Sequence, residues 1–591
     1  MLMRISSPQI GELPSRRRLK LGPSNCINGL GCLDSSNMPA VIGIAWTVYG
    51  IVSGLLLLFS IAFTRYYQHK RESEALATAV TIISLTLVLC TLALLPVDIF
   101  LVSSTVDPET GLKKSWADKE TIYWMTLTVQ IAYYVGYGLV AAFSFFIIPF
   151  SYFYYEEYDD DEEQTIKDRV FGALKYTSFF VVISLLLFLF GLFVKPSQRP
   201  PKLDLDWLEK LLMESNGEKS ISFVIACLFF LGMLVFIVYT APGLSILPFN
   251  MIKGRRKIEA ENEDVDTRLA VVRERQRAIQ SKYAGSNKLL TERDQRNLEN
   301  LEDEERILQR RLRTIQEDRA SIWQRIITIL RPFEVLFGIL LLVLTLVVAA
   351  SIFLTIIDKI TFSVCGSKCG YIISHPDLFN PINCIFVNLS KVFPLDYIFM
   401  VLLIVYFFMA TMSGVITIGV RFLWVSLFRI RRHATLPQGL LFATILLTLG
   451  LLALNYSITN VVAPGYAHFG SQVFCNYTEG GQRNCSEHAD LIVPCDIYAP
   501  TEICTPTISS TLIDRIIVNT PFFGIVFYYA QWAFLVVFVL GFVVALFRRP
   551  RDNVDMESAD AEAEEDEQRG LLEGHRRHGQ YGGNSNNNNH S

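Results

Sequence analysis

KGRRKIEAENEDVDTRLAVVRERQRAIQSKYAGSNKLLTERDQRNLENLEDEERILQRRLRTIQEDRASIWQRIITILR, residues 253–331, is the stretch whose reading decides the fold. It holds 19 Lys/Arg and 15 Asp/Glu in a chain that is otherwise a series of long apolar blocks. A segment so charged stays in water, and it separates five apolar blocks before it from four after it. Ile258, Val265, Leu269, Val272 and Ile279 fall at heptad spacing in its first half. Leu298, Leu301, Leu308, Leu312 and Ile315 do so in its second, and Ala284-Gly-Ser-Asn287 breaks the two. Two apolar stripes joined by a polar turn predict an antiparallel, coiled-coil-like helical hairpin. Its acids alternate with its arginines, the pattern of a solvated face, so no nucleic acid is expected as a partner.

Outward from this stretch, the blocks are 41–63, 77–102, 122–150, 176–194 and 221–249 on one side. On the other they are 333–357, 395–420, 436–459 and 521–547. Each reaches roughly the 20 apolar residues that cross a hydrocarbon core. All are read as helices, because a helix satisfies its own backbone hydrogen bonds in lipid. The chain of 591 residues is 51% hydrophobic and 19% charged, below the ~25% charge of ordinary soluble proteins. The fold class is therefore all-α: a polytopic helical membrane protein with about nine transmembrane helices and a cytosolic helical hairpin. Five spans occupy residues 38–252, the hairpin 253–331 and four spans 332–547. Pro242 and Pro248 predict a kink in the fifth span, and residues 205–213 read as a short amphipathic helix.

The two ends differ from the body. Residues 1–37 are Ser-, Gly- and Arg-rich, lack an apolar h-region and are read as a disordered extension, not a secretory signal. Met38 precedes the first span and stands as a second start beside Met1. Residues 548–591 are acidic, end in an Asn run and are expected to be disordered. Within them Glu567, Leu571 and Leu572 resemble the acidic dileucine signal that clathrin adaptors read when sorting membrane proteins to lysosomes or vacuoles.

Basic residues at span ends favour the cytosol. Lys253, Arg255, Arg256 and Lys257 follow the fifth span; Arg421, Arg429, Arg431 and Arg432 the seventh; Arg548, Arg549 and Arg551 the ninth. Cys365, Cys369 and Cys384 share the loop after the sixth span, and Cys475, Cys485, Cys495 and Cys504 the loop after the eighth. N-glycosylation sequons at Asn388, Asn476 and Asn484 fall in the same two loops. Four clustered cysteines suit two disulfides in an oxidising lumen. Their spacing is not the paired Cys-x-x-Cys of a zinc site, so no metal is expected. The N-terminus is then luminal and the C-terminus cytosolic. Five Lys/Arg in the N-terminal tail oppose this, and a start at Met38 removes the conflict. The sequon at Asn455 lies inside the eighth span and is expected to be unused.

No Walker loop, His-Glu-x-x-His or Gly-x-Ser-x-Gly occurs, so the chain is not read as an enzyme and no catalytic residue is assigned. Charges in the spans lie near their ends, at Asp98, Glu334, Asp358, Asp396 and Arg421, which argues against a simple proton relay. The deep polar groups are Gln130, Asn455 and Gln531. Tyr133, Tyr134 and Tyr137 near Gln130, with Tyr528 beside Gln531, are candidates to line a path for a large, polar, uncharged solute. Helix–helix hydrogen bonding and aromatic packing is the competing reading.

Five strings carry a family resemblance: Leu95-Pro-Val-Asp-Ile-Phe-Leu101, Tyr239-Thr-Ala-Pro-Gly-Leu244, Leu247-Pro-Phe-Asn250 before Lys253-Gly254, Phe393-Pro-Leu-Asp-Tyr397 and Pro521-Phe-Phe-Gly524. With five spans, a charged coiled stretch, four spans and an acidic tail, the chain resembles the limb-region-1-like (LMBR-type) membrane proteins, in their lysosomal cobalamin transporter branch. The resemblance implies a multi-pass protein of the lysosomal or vacuolar membrane that exports cobalamin from lumen to cytosol. It also implies an ABC-type partner that supplies ATP. Cobalamin is then cargo and not a catalytic cofactor, and no cobalamin-contacting residue is carried over. The alternative is a non-transporting scaffold or receptor that binds cytosolic partners through the hairpin.

Overall fold

The computed structural model describes residues 38–69, 74–157, 166–193, 216–253, 258–283, 292–320, 322–363, 366, 378–390, 392, 394–422, 425–428, 430, 435–479, 482–483, 485, 489–496 and 498–547. The extension 1–37, the helix expected at 205–213, Cys365, Cys369, Asn484 and the tail with Glu567, Leu571 and Leu572 lie outside these residues.

Among the described residues, nine helices are long and apolar enough to cross a membrane. The first two spans are α1 (Met38–Tyr67) and α2 (Ala75–Ser103). The third joins α3 (Lys119–Ala142) to α4 (Ile148–Glu156) through a π turn, and the fourth is α5 (Ile166–Phe193). The fifth joins α6 (Asn216–Val235) to α7 (Ala241–Lys253) through a second π turn, Phe236–Thr240. The charged stretch supplies α8 (Ile258–Tyr283) and α9 (Glu292–Ala320). The sixth span lies within α10 (Ile322–Thr361), and a short α11 (Pro381–Leu389) precedes the seventh, α12 (Leu395–Ile418). The eighth is α13 (Pro437–Ser457), continued by a third π turn, Ile458–Val462. Two short helices, α14 (Pro464–Phe469) and α15 (Ile508–Asn519), then lead to the ninth, α16 (Pro521–Phe547).

Four spans form the centre. α2, α6–α7, α12 and α13 are buried over most of their length, and α1, α3–α4, α5, α10 and α16 ring them. The ring helices turn Leu, Phe and Val outward, as lipid contact requires; Leu58, Phe179 and Leu340 are examples. In the centre, backbones meet at glycines. A Cβ added at Gly243 of α7 would overlap the Ala410 carbonyl oxygen, and one at Gly414 of α12 would overlap that of Tyr239. Thr240 and Thr411 share a hydrogen bond of 2.8 Å in the same contact. Small residues let membrane helices approach this closely, so dispersion and short hydrogen bonds replace the absent hydrophobic drive.

The fifth span is irregular next to its first proline: the π turn Phe236–Thr240 ends just before Pro242, and Pro248 lies inside α7. Several helices outrun the apolar blocks that announced them. The fourth begins at Ile166 and the sixth at Ile322, each about ten residues before its block. Helix propensity continues through charged residues, so hydropathy marks the lipid-crossing part and not the helix.

α8 and α9 pack as an antiparallel pair. Val265, Leu269, Val272 and Leu308 form its core, with Leu301 and Leu312 against it. Arg273 Nε donates to Glu305 Oε1 at 2.8 Å across the pair. The side chains of Ile258 and Ile315 lie outside the described ones. At the other end of the bundle stand the cysteine loops. There two antiparallel strands, β1 (Val473–Cys475) and β2 (Ile492–Pro494), stand beside the disulfides Cys475–Cys485 and Cys495–Cys504. Cys384 is a free thiol among the described residues.

Candidate functional site

α13 carries the site. Its first turns are apolar and buried; then the sequence turns polar inside the protein, with Asn455, Tyr456, Ser457, Thr459 and Asn460 all buried. Asn455 and Tyr456 are consecutive, so they point about 100° apart around the helix and reach different neighbours. Asn455 Nδ2 donates to the Tyr137 hydroxyl on α3. The Tyr456 hydroxyl accepts from Gln531 Nε2 on α16 at 3.3 Å. Tyr137 stacks on Tyr133 with centroids 6.0 Å apart. Tyr456 packs on Phe527 at 4.7 Å, and Trp532 Nε1 donates to the Tyr528 hydroxyl at 3.0 Å. The result is a continuous polar and aromatic seam running α3–α13–α16.

The seam is closed in this structure: Tyr133 is 0% exposed and Gln531 3%. It is also incompletely satisfied. Asn455 Oδ1, Thr459 Oγ1, Asn460 Nδ2 and Gln531 Oε1 are buried and make no hydrogen bond. Each such group costs about 1–3 kcal/mol relative to a paired one. Packing alone would be better served by apolar residues here. Unmet donors and acceptors of this kind are able to pair with amides or hydroxyls.

A second cluster caps the seam at the cysteine-loop end. Pro464 starts α14, its fixed φ suited to a first helical turn. Thr507 caps α15 by accepting from Ser510 N at 3.3 Å. Asp98, at the end of α2, accepts from Ser509 N at 2.9 Å, placing a carboxylate at that helix N-terminus. The hydroxyls of Tyr133 on α3 and of Ser509 are buried and make no hydrogen bond. The Tyr466 hydroxyl of α14 donates to Asp396 Oδ2 of α12 at 2.7 Å. Asn380 Nδ2 donates to Thr355 Oγ1 at 3.0 Å and to the Val462 carbonyl at 3.1 Å, tying the α11 N-cap to α10 and the third π turn. His468 Nε2 lies 3.1 Å from Asp514 Oδ2. Asp98, Asp358, Lys359, Asp396 and Asp514 are each less than a tenth exposed. Buried charge is expensive unless paired, and in a membrane protein it marks function before structure.

Comparison with known proteins fits this architecture. Residues 47–328 match the family of LMBR1-like membrane proteins. A protein of Sclerotinia sclerotiorum named "Probable lysosomal cobalamin transporter" is 44% identical over 548 residues, 89% of this chain and 92% of the relative. Relatives of the same name from Ajellomyces capsulatus and Neurospora crassa are 42% and 40% identical, over 89% of this chain and 93% and 91% of theirs. This chain belongs to the LMBR1-like membrane protein family. No solved structure matches it.

Within this LMBR1-like fold, the strings that carry the resemblance lie at structural joints. Asp98 holds the N-terminus of α15, residues 239–244 pass from the second π turn into the Gly243 contact, and Asp396 holds Tyr466. Of the residues singled out in the sequence, the structure brings Tyr133, Tyr137, Asn455, Tyr528 and Gln531 into the seam. Tyr134 is half-buried against the main core. Gln130 is half-buried on α3 and has no described hydrogen bond to the seam. Asn388 and Asn476 are exposed at the cysteine-loop end, and Asn455 is buried, so its sequon is inaccessible.

Sequence reasoning missed Tyr456, Thr459, His468 and Asp514. Thr507 before the spaced apolar residues Ile508, Leu512, Ile513 and Ile516 is a helix-start signal that identifies α15, and Ala463-Pro464 is one for α14. The carboxylates near span ends lie where hydropathy placed them. Three of them, Asp98, Asp358 and Asp396, face protein and not the water interface.

Proposed function

We propose that this chain exports cobalamin from the lysosomal or vacuolar lumen to the cytosol, as the transporter or its membrane subunit. The observation that carries the reading is the match to relatives of that name along nine tenths of the chain. The seam supports it. Cobalamin is large and bears many carboxamides, and the seam holds amide and hydroxyl groups without partners. Transport and not catalysis is then the activity, with cobalamin as cargo. An ABC-type partner supplies ATP, since no Walker loop is present. The cysteine-loop end faces the lumen and the hairpin the cytosol, which puts the N-terminus in the lumen and the C-terminus in the cytosol. Glu567, Leu571 and Leu572 in the tail then face the clathrin adaptors that route the chain.

Two expected outcomes follow. With the gene deleted, labelled cobalamin accumulates in isolated vacuoles or lysosomes; an unchanged distribution between lumen and cytosol would sink the reading. For the topology, Asn388→Gln and Asn476→Gln should each lose one glycan, seen as a stepwise gain in gel mobility that glycosidase treatment of the wild type reproduces. Unglycosylated wild-type protein would count against a luminal cysteine-loop end.

A further inference from the structure

We propose that His468 and Asp514, with Lys359, form a proton-operated latch that holds the α14–α15 cap over the end of the seam. The geometry carries it. His468 sits on α14 between two acceptors: Nδ1 is 2.7 Å from the Pro464 carbonyl, within its own helix, and Nε2 is 3.1 Å from the Asp514 carboxylate on α15. A carbonyl only accepts, so Nδ1 must carry a proton. An ionised carboxylate only accepts too, so Nε2 must carry the second. With Asp514 ionised, both contacts are made together only by the imidazolium. The side chains are 15% and 2% exposed, so the contact lies largely out of water. Asp514 Oδ1 has no hydrogen bond, and Lys359 of α10 lies within electrostatic reach of the same carboxylate.

The latch is placed to act on the seam. α15 packs on α16, α6, α14, α3, α2 and the third π turn, and α14 packs on that π turn and on α2 and α11. The charged groups on these elements are Asp98, Lys119, Glu120, Glu218, Lys219, Asp514 and Arg515, with Asp358, Lys359 and Asp396 on the neighbouring α10 and α12. The neutral titratable ones are Cys90, Tyr123, Tyr133, Tyr134, Tyr137, Cys227, Cys384, Tyr466, Tyr528 and Tyr529. Asp98 is engaged by Ser509 N and Asp396 by Tyr466, which leaves Asp514 as the carboxylate that meets the imidazole.

Burial alone would lower the His468 pKa. The Asp514 charge and hydrogen bond, with the Pro464 carbonyl, outweigh burial and the repulsion of Lys359, and hold it above the usual histidine value. A group whose native pKa is raised contributes its stability in full below the unfolded value of about 6.5, and loses it as pH rises through the native value. The cap is therefore held in acid and loosened as the pH of its own side rises. Only the naming of that side as the lumen rests on the proposed function; the proton chemistry does not.

The test uses the full-length chain in lipid nanodiscs without cobalamin. Amide hydrogen exchange is measured from about pH 5.5 to about pH 8 and corrected for the intrinsic pH dependence of exchange. Protection of residues 464–469 and 508–519 should fall several-fold as pH rises, while that of α12 stays constant. His468→Gln, and the shape-conserving Asp514→Asn, should each flatten the profile. Wild-type protection that is constant or rises with pH would overturn the latch, whatever the variants do. So would an unchanged pH dependence in either variant. Failure of the deletion experiment with this profile intact would remove the cobalamin reading and leave the latch standing.

Discussion

Thr459→Val combined with Gln531→Met should leave the protein as stable as the wild type, or more so, and lower cobalamin efflux by about tenfold or more. The two halves of this expectation come from one observation. Thr459 Oγ1 and Gln531 Oε1 are buried without partners, and replacing an unsatisfied buried polar group by an apolar one of similar shape is nearly neutral or stabilising. The lost bond from Gln531 to Tyr456, at 3.3 Å, is long, and the cost of leaving the Tyr456 hydroxyl unpaired is offset by removing the two unsatisfied atoms of Thr459 and Gln531. If these atoms serve the solute, each removed contact with the moving solute costs about 1.4 kcal/mol or more, a factor of ten in rate. If they serve only the fold, transport follows stability and neither changes. Fluorescence-detected melting of the detergent-solubilised protein, beside efflux at matched expression, separates the cases.

The second large effect concerns the centre of the bundle. Gly243→Ala and Gly414→Ala should each cost about 1–3 kcal/mol or more and reduce the yield of folded, monodisperse protein. The overlap in each case is with a backbone carbonyl oxygen, which no side-chain rotation relieves. The helices α7 and α12 must move apart, and the Thr240–Thr411 hydrogen bond of 2.8 Å lengthens with them. Gly54→Ala is the control. Nothing lies within 4 Å of a Cβ there, and alanine is the better helix former by about 1 kcal/mol. A melting temperature that falls for Gly243→Ala and Gly414→Ala and holds for Gly54→Ala is expected. Equal effects at all three positions would mean that the close approach of α7 and α12 is not what holds the centre.

The fold was largely legible because lipid imposes one rule. A helix long enough to cross must be apolar over that length, so nine blocks announced the nine spans found among the described residues. The hairpin was legible because Val265, Leu269, Val272, Leu301 and Leu308 repeat at heptad spacing between charges. Which face of a span meets which neighbour follows no such rule. Tyr133, Tyr137 and Gln531 stood out as polar groups in apolar runs, yet what joins them is the adjacent pair Asn455 and Tyr456, on a helix whose other buried polar residues are the ordinary Thr444, Thr448 and Ser457. The cap was less legible. α14 and α15 are short helices within cysteine-bearing loops, and periodicity says little over six or twelve residues. His468 and Asp514 are 46 residues apart, and only the fold brings them to 3.1 Å. Asp98 was visible at the end of a span, but its role as an anchor for Ser509, 411 residues away, is a tertiary fact.

The most direct measurement is efflux of labelled cobalamin from isolated vacuoles or lysosomes of a deletion background. The organelles carry the wild-type chain, the Thr459→Val/Gln531→Met variant or no chain, at equal luminal load. Efflux restored by the wild type, and held near the deletion level by a variant that melts like the wild type, is the expected result. Efflux from the variant equal to that of the wild type would contradict a path through the α3–α13–α16 seam, and equal efflux with and without the chain would contradict cobalamin export altogether.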